Sequence, residues 1–273
     1  MSDESVIAVS VVIPCHNSAT FLAETVQSVA EQTFRDFEVV LVDDGSTDRT
    51  LALIDDLIAM RPELRMRVIA QARGGVAAAR NAGIAAAIGR FILPLDADDL
   101  IAPDMLADCA RMLDANPADG IVCCDRQDFG DIEQRVEAGS FELERLKYFN
   151  QVAYCSMYRR EVWLATGGYR CNVDGFDDWD FWIAAAARGV TAMHLPRPHL
   201  KHRRRSNSFM WSLLEDYERL HARIILNNRA VYSTAEVRQA TEFIEQGTPS
   251  ALLRLARILY LGRYYDGYPR RAA

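Results

Sequence analysis

No two of the six cysteines, Cys15, Cys109, Cys123, Cys124, Cys155 and Cys171, stand in a C-x-x-C pair. The spacing common to zinc and dithiol sites is therefore missing, and three of the six fall in runs that read as buried strands. Small apolar thiols in a reducing compartment are the expectation. A run of about 18 uninterrupted apolar residues is missing too, so no membrane-spanning helix is expected. The opening MSDESVIAVS carries acids where a secretory leader carries lysine or arginine, which points to the cytoplasm. Positive charge is in deficit, with a net charge of −7. That balance argues against a nucleic-acid partner held by phosphate neutralisation. Internal repeats and low-complexity segments are absent.

What the chain does have is apolar mass: 50% of its 273 residues are hydrophobic, enough for one large core and a tail. From Val9 to Asp125 short β-branched runs alternate with helical periods. Strands are expected at Val9–Ile13, Glu38–Val42, Arg67–Ala70, Phe91–Leu95 and Ile121–Cys124, separated by helices. One helix carries Leu22, Val26 and Val29 on a single face, a second is expected to be capped by Ser46, a third runs from Gly75 to Ile88, and a fourth from Pro103 to Leu113. Such a βαβ series implies an α/β fold, a mostly parallel sheet with helices on both faces. Ligands of such sheets bind at the carboxyl ends of the strands. The polar clusters Asn17-Ser18, Asp43-Asp44-Gly45-Ser46 and Asp96-Ala97-Asp98-Asp99 all fall at those ends, so they should converge on one edge. Beyond about residue 130 the alternation weakens into a substrate-side segment, and from Phe209 onward the spacing is helical.

Each cluster also has a plainer reading. Asp43-Asp44-Gly45-Ser46 could form only a turn, since these residue types favour turns. At the end of a buried parallel strand, however, an Asp can accept from a nucleobase or a ribose hydroxyl. The G-x-G-x-x-G fingerprint is missing after the first strand, where Pro14-Cys15-His16-Asn17 stands, which disfavours a nicotinamide or flavin enzyme. Three carboxylates at Asp96, Asp98 and Asp99 repel one another unless a cation or hydrogen-bond donors lie between them. Helix capping would account for one of them. A hard divalent cation, magnesium or manganese, takes one or two carboxylates plus substrate phosphate oxygens.

Gly74 and Gly75 precede a helix whose alanines suit close packing on the sheet, but Arg80 and Asn81 on it call for another role. Pointing at phosphate or at the acidic loop is a reasonable one. Phe176-Asp177-Asp178-Trp179-Asp180 sets acids among aromatics, which raises a carboxylate pKa and suits a general base. An amphipathic helix start would look the same. Lys201-His202-Arg203-Arg204-Arg205 reads either as a solvated basic run or as a diphosphate contact.

Together these residues resemble the family 2 glycosyltransferases of GT-A fold. The matching pieces are Val11-Val-Ile-Pro14 with Asn17, Val42 to Asp48, Gly74 to Gly83, Leu95 to Asp99, and Asp177 to Asp180, spanning residues 9 to about 208. The resemblance implies an inverting transfer from a nucleotide-diphosphate sugar to a hydroxyl acceptor, a glycan or lipid-linked glycan of cell-surface polysaccharide. It also implies that Asp43 or Asp44 reads the base, Asp96 the ribose, Asp98 the Mn2+ or Mg2+ ion, with Asp99 in support, and that Asp178 is the base. Pro14, Asn17, Gly74, Arg80, Asn81, Trp179, Lys201, His202 and Arg203 would complete the substrate contacts. Many members have Glu-Asp where this chain has Asp177-Asp178, which leaves the base open between the two. Many also have Tyr-Arg-x-His-x-x-Ser where this chain has Leu200-Lys-His-Arg-Arg-Arg-Ser206, only an approximate match.

On this reading residues 1–208 form the GT-A domain, with a nucleotide-sugar half 1–125 and an acceptor-side half 126–208, and 209–273 a C-terminal helical extension. Two rivals stand beside it. A nucleotidyltransferase would show a glycine- and arginine-rich loop after the first strand, and Pro14 to Asn17 offers none. A catalytically idle sugar-nucleotide or glycan-binding module would keep donor binding without transfer. Residues 251–273 carry five arginines against one Asp, a pattern that fits peripheral contact with the inner face of a membrane as well as packing on the domain.

Overall fold

Alternation of side chains along the strands divides the interior into two apolar layers, one on each face of a single sheet. The computed structural model describes residues 7–205 and 214–264. Its strands are β1 Val9–Cys15, β2 Phe37–Asp44, β3 Met66–Gln71, β4 Phe91–Pro94, β5 Leu100–Ile101, β6 Ile121–Gly130, β7 Gln134–Val136, β8 Met157–Arg159 and β9 Ala192–Arg204. The helices are α1 Leu22–Ala30, α2 Thr50–Met60, α3 Val76–Ala86, α4 Met105–Ala115, α5 Leu143–Leu146, α6 Arg160–Thr166, α7 Asp177–Ala186, α8 Tyr217–Asn227, α9 Thr234–Gln246 and α10 Ala251–Tyr264. Val9, Val11, Ile13, Val39 and Leu41 pack with α1, α2 and α4 on one face. Val12, Val40 and Val42 meet α3, α6 and α7 on the other. Successive strand residues point to opposite faces, so strands covered on both sides are apolar throughout.

The sheet order is β3-β2-β1-β4-β8-β6-β9-β5, with β7 beside β6. The β1, β2, β3 and β4 pairings are parallel, as expected of the βαβ series. The fifth expected strand, β6, does not lie beside β4. Instead the three-residue β8 is inserted antiparallel to both. Three residues are too few for a periodic signal, although Met157 packs on one face and Tyr158 on the other. Strand β9 was also not legible, because Pro196 and Pro198 break its pattern. They fall at the register shift against Asp125, where a ladder tolerates the missing N–H groups.

One local expectation is corrected. Ser46 does not cap α2; its hydroxyl accepts the Asn17 backbone N–H at 3.0 Å. Just before α2, Asp48 accepts from the Thr50 backbone N–H at 2.9 Å. In the expected extension, α8 buries Tyr217, Leu220 and Ile224 in the same layer as α7. Residues 206–213 and 265–273 lie outside the described residues. Among the described residues no helix is long and apolar enough to cross a membrane. All six cysteines are free thiols, five of them buried.

Candidate active site

The loops leaving β1, β2 and β4 meet at the carboxyl edge of the sheet and form one wall of a cavity of about 720 Å³. Asn17 adopts φ 50°, a left-handed conformation that Asn tolerates better than most residues. Its side-chain oxygen accepts from the backbone N–H groups of Thr47 at 2.8 Å and Asp48 at 3.2 Å. The turn after β1 is thereby clamped to the turn after β2. Asp44 accepts from the backbone of Gly74 at 2.7 Å and Gly75 at 2.9 Å, and from Gln71 at 2.7 Å. Gly75 sits at φ 89°, and a Cβ there would lie 3.1 Å from the Asp174 carboxylate. Only glycine fits this join between the two halves of the cleft.

The acidic loop between β4 and β5 is held by donors. Asp96 pairs with Arg80 at 2.7 Å and Asp98 with Arg205 at 2.6 Å. Asp99 is buried, accepting from the Tyr154 hydroxyl and the Arg203 backbone N–H, both at 2.6 Å. Burial pushes the Asp99 carboxyl up to about 7, against the pull of His202. Burial also raises Asp96, against the pull of Arg80.

Across the cavity stands the N-terminus of α7. Asp177 and Asp178 are adjacent in sequence, and the 100° turn between helical neighbours gives them different environments. Asp177 is 1% exposed. It pairs with Arg80 at 2.5 Å and accepts from the Gly175 backbone N–H at 3.2 Å. Asp178 is half-buried on the cavity wall, and one of its oxygens accepts from the Asn150 amide at 2.9 Å. Burial, then the neighbouring Asp177 charge, push Asp178 up to about 7. Arg80 thus bridges the acidic loop and the α7 terminus, beneath the rings of Tyr154 and Tyr169.

Of the residues singled out in the sequence, Pro14, Asn17, Asp44, Arg80, Asp96, Asp98, Asp99, Asp177, Asp178, His202 and Arg203 line the cavity. Five lie elsewhere. Asp43 is buried behind Asp44, and one of its oxygens has no partner. Gly74 acts through its N–H on Asp44 rather than at the wall. Asn81 faces away from the cleft, bonded to Tyr169 and to the Trp163 indole. Trp179 is a core residue, stacked on His221 at 5.2 Å and donating to the Leu146 carbonyl. Lys201 is exposed on the outer side of β9.

Arg203 is on the wall, but its guanidinium is engaged by Glu24 at 2.7 Å and by the rings of Phe21 and Phe129. Its Nε also donates to the Asp98 carbonyl at 2.9 Å, while Arg205, at the end of the basic run, is the residue that pairs with the Asp98 carboxylate. Asn150, Tyr154, Arg126 and Asp174 also line the cavity and were not anticipated. They sit in segments without a periodic pattern, where only proximity in space distinguishes them.

A divalent cation is a reasonable guest on chemical grounds. Among the described residues no three His, Cys, Asp or Glu side chains are grouped to hold a metal by themselves. Asp96 and Asp98 keep 34% and 30% of their side chains exposed toward the cavity. This set fits an ion that takes one or two carboxylates here and its other ligands from substrate phosphates.

The architecture is that of GT-A glycosyltransferases. The chain overlays Staphylococcus aureus TarS 1–349 in complex with UDP-GlcNAc with a TM-score of 0.67 at 24% identity, covering 94% of this chain and 80% of that one. It overlays the mannosyltransferase PcManGT from Pyrobaculum calidifontis, in complex with GDP-Man and Mn2+, with a TM-score of 0.65 at 21% identity, covering 96% and 76%. Residues 10–167 match the family described as Glycosyl transferase family 2, and the chain belongs to that family. It is 34% identical over 180 residues to a PGL/p-HBAD biosynthesis glycosyltransferase of Mycobacterium bovis, covering 64% of this chain and 68% of the relative. It is 29% identical over 185 residues to the chondroitin synthase of Pasteurella multocida, of which it spans only 19%.

Proposed function

We propose that the protein transfers a sugar, with inversion, from a nucleotide-diphosphate sugar to a hydroxyl acceptor, a glycan or a lipid-linked glycan. The observation that carries this reading is Asp178, a half-buried carboxylate pushed up to about 7 and facing the cavity opposite the acidic loop. A group with that pKa takes a proton well near neutrality. The acceptor oxygen attacks the anomeric carbon from the Asp178 side while the bond to the diphosphate breaks on the other. The new glycosidic bond forms, Asp178 takes the hydroxyl proton, and the nucleoside diphosphate leaves as an anion.

On this reading Asp44 contacts the base and Asp96 the ribose. Asp98 binds Mn2+ or Mg2+, which when present neutralises charge growing on the diphosphate. Arg205 adds positive charge on the same side. The neighbours with UDP-GlcNAc and GDP-Man support the donor class. Residues 1–208 serve as the catalytic unit, at work in the cytoplasm. The exposed Leu255 and Ile258 of α10, 51% and 64% exposed beside Arg254, suit contact with an anionic membrane carrying the acceptor.

The test is binding and hydrolysis of UDP-, GDP- and dTDP-sugars, with and without manganese, in the wild type, Asp98→Ala and Asp178→Asn. One donor bound with the help of manganese, the manganese effect lost in Asp98→Ala, and hydrolysis lost with binding kept in Asp178→Asn, is the expected pattern. Binding kept while the wild type neither hydrolyses nor transfers would instead identify an idle binding module.

A further inference from the structure

The stretch between α5 and β8 touches both carboxylate clusters. At its start the Leu146 carbonyl accepts the Trp179 indole N–H at 2.5 Å, which fastens it to α7. Near its end the Tyr154 hydroxyl donates to Asp99 at 2.6 Å and accepts the Asp96 backbone N–H at 3.1 Å. Between them stands Asn150. Its side-chain oxygen accepts the Val152 backbone N–H at 3.2 Å, which fixes the orientation of the amide. The amide nitrogen is thereby turned to Asp178, 2.9 Å from one carboxylate oxygen.

We infer that Asn150 is a positioning residue for the base: it holds the Asp178 carboxylate in one rotamer and favours its ionised form, so that it is ready to accept a proton. This rests on the reading of Asp178 as the base. A neutral donor aimed at a carboxylate stabilises the charged form over the acid. Burial and Asp177 act the other way, and Arg80 from α3 and the Trp179 backbone N–H act with Asn150. Asp174, Glu137 and Arg126 line the same cavity. Asn150 donates to one oxygen only and occupies no more of the carboxylate, so it orients the base without blocking it.

The experiment follows Asp178 directly, by 13C NMR of aspartate-labelled full-length protein, its carboxyl signal assigned by its disappearance in Asp178→Asn. Hydrolysis of UDP-GlcNAc, or of whichever donor the binding panel selects, is followed across pH in parallel. In Asn150→Ala the Asp178 midpoint should rise by about one to two pH units, the value of a hydrogen bond to a charged group. The acid limb of the rate profile should move with it, leaving donor KM unchanged and shrinking the loss at high pH. Asn150→Asp retains an acceptor for Val152 and replaces the amide donor with a second acid. It should raise the midpoint at least as far, and it serves if Asn150→Ala does not fold.

An unmoved midpoint in a folded variant, or a rate loss equal at every pH, would show that Asn150 merely packs the loop. Hydrolysis undiminished in Asp178→Asn would instead overturn the base reading itself.

Discussion

Arg80 carries the charge balance of the cleft. Its guanidinium meets Asp177 at 2.5 Å and Asp96 at 2.7 Å, and the arginine is 4% exposed. Removing it leaves the buried Asp177 carboxylate without its ion-pair partner, which costs about 3–5 kcal/mol for a buried pair broken on one side. Arg80→Met should therefore lower the urea midpoint sharply while the Asn17 clamp stays intact, a change that equilibrium unfolding reads directly.

The raised carboxyls give a second prediction at this scale. A folded pKa of about 7 at Asp178, above the unfolded value near 4, means the native state binds more protons between those pH values. Its contribution to stability is full below about pH 4 and is lost as pH rises through about 7. Asp178→Asn should thus gain in melting temperature relative to wild type on going from pH 5 to pH 8. An equal difference at both pH values would count against the raised pKa. The sequence revealed the acids of this site as a set, but not that Asp177 is buried on Arg80 while Asp178 stays partly exposed. That depends on helix rotation about a contact with Arg80, some 97 residues away in the chain. Asn81 and Trp179 turn away from the cleft for the same reason, each lying one helical step from a wall residue.

Helix α3 lies against the sheet through Gly83, where a Cβ would come within 2.4 Å of Val12 and 3.0 Å of Val42. Overpacking of this kind costs about 1–3 kcal/mol. Gly83→Ala should lower the melting temperature by several degrees without altering the pH dependence of activity. The alanines of α3 were readable as a close-packing surface, and strands β1, β2 and β4 as buried parallel runs, because composition alone decides both. Strand β9 was not readable, since its apolar alternation is interrupted by prolines and basic residues whose partners come from β5 and β6. Strand β8 is too short to signal itself at all.

At the level of the whole molecule, an acidic chain carries basic residues at the acidic loop, Arg203 and Arg205, and on α10, Arg254 and Arg257. If α10 contacts a membrane, the protein should bind vesicles rich in anionic lipid at low salt and dissociate near 0.5 M salt, where charge is screened. Leu255→Glu with Ile258→Glu should abolish the binding and leave donor hydrolysis unchanged. Sedimentation with vesicles measures it, and recovery of the wild type wholly in the supernatant at low salt would dismiss the contact.

Insertion of β8 has a consequence for how the chain assembles. Strands β1 to β4 find their neighbours within the first 94 residues, through pairings such as Val9 with Phe37 and with Phe91. Strand β4 then waits for Tyr158 and Arg159, and β6 waits for residues 192 to 204. Contacts that span so much chain form late, because loop closure is costly in entropy. Residues 9–94 can therefore collapse while the polypeptide is still being synthesised, and α7 docks only after most of the chain has emerged.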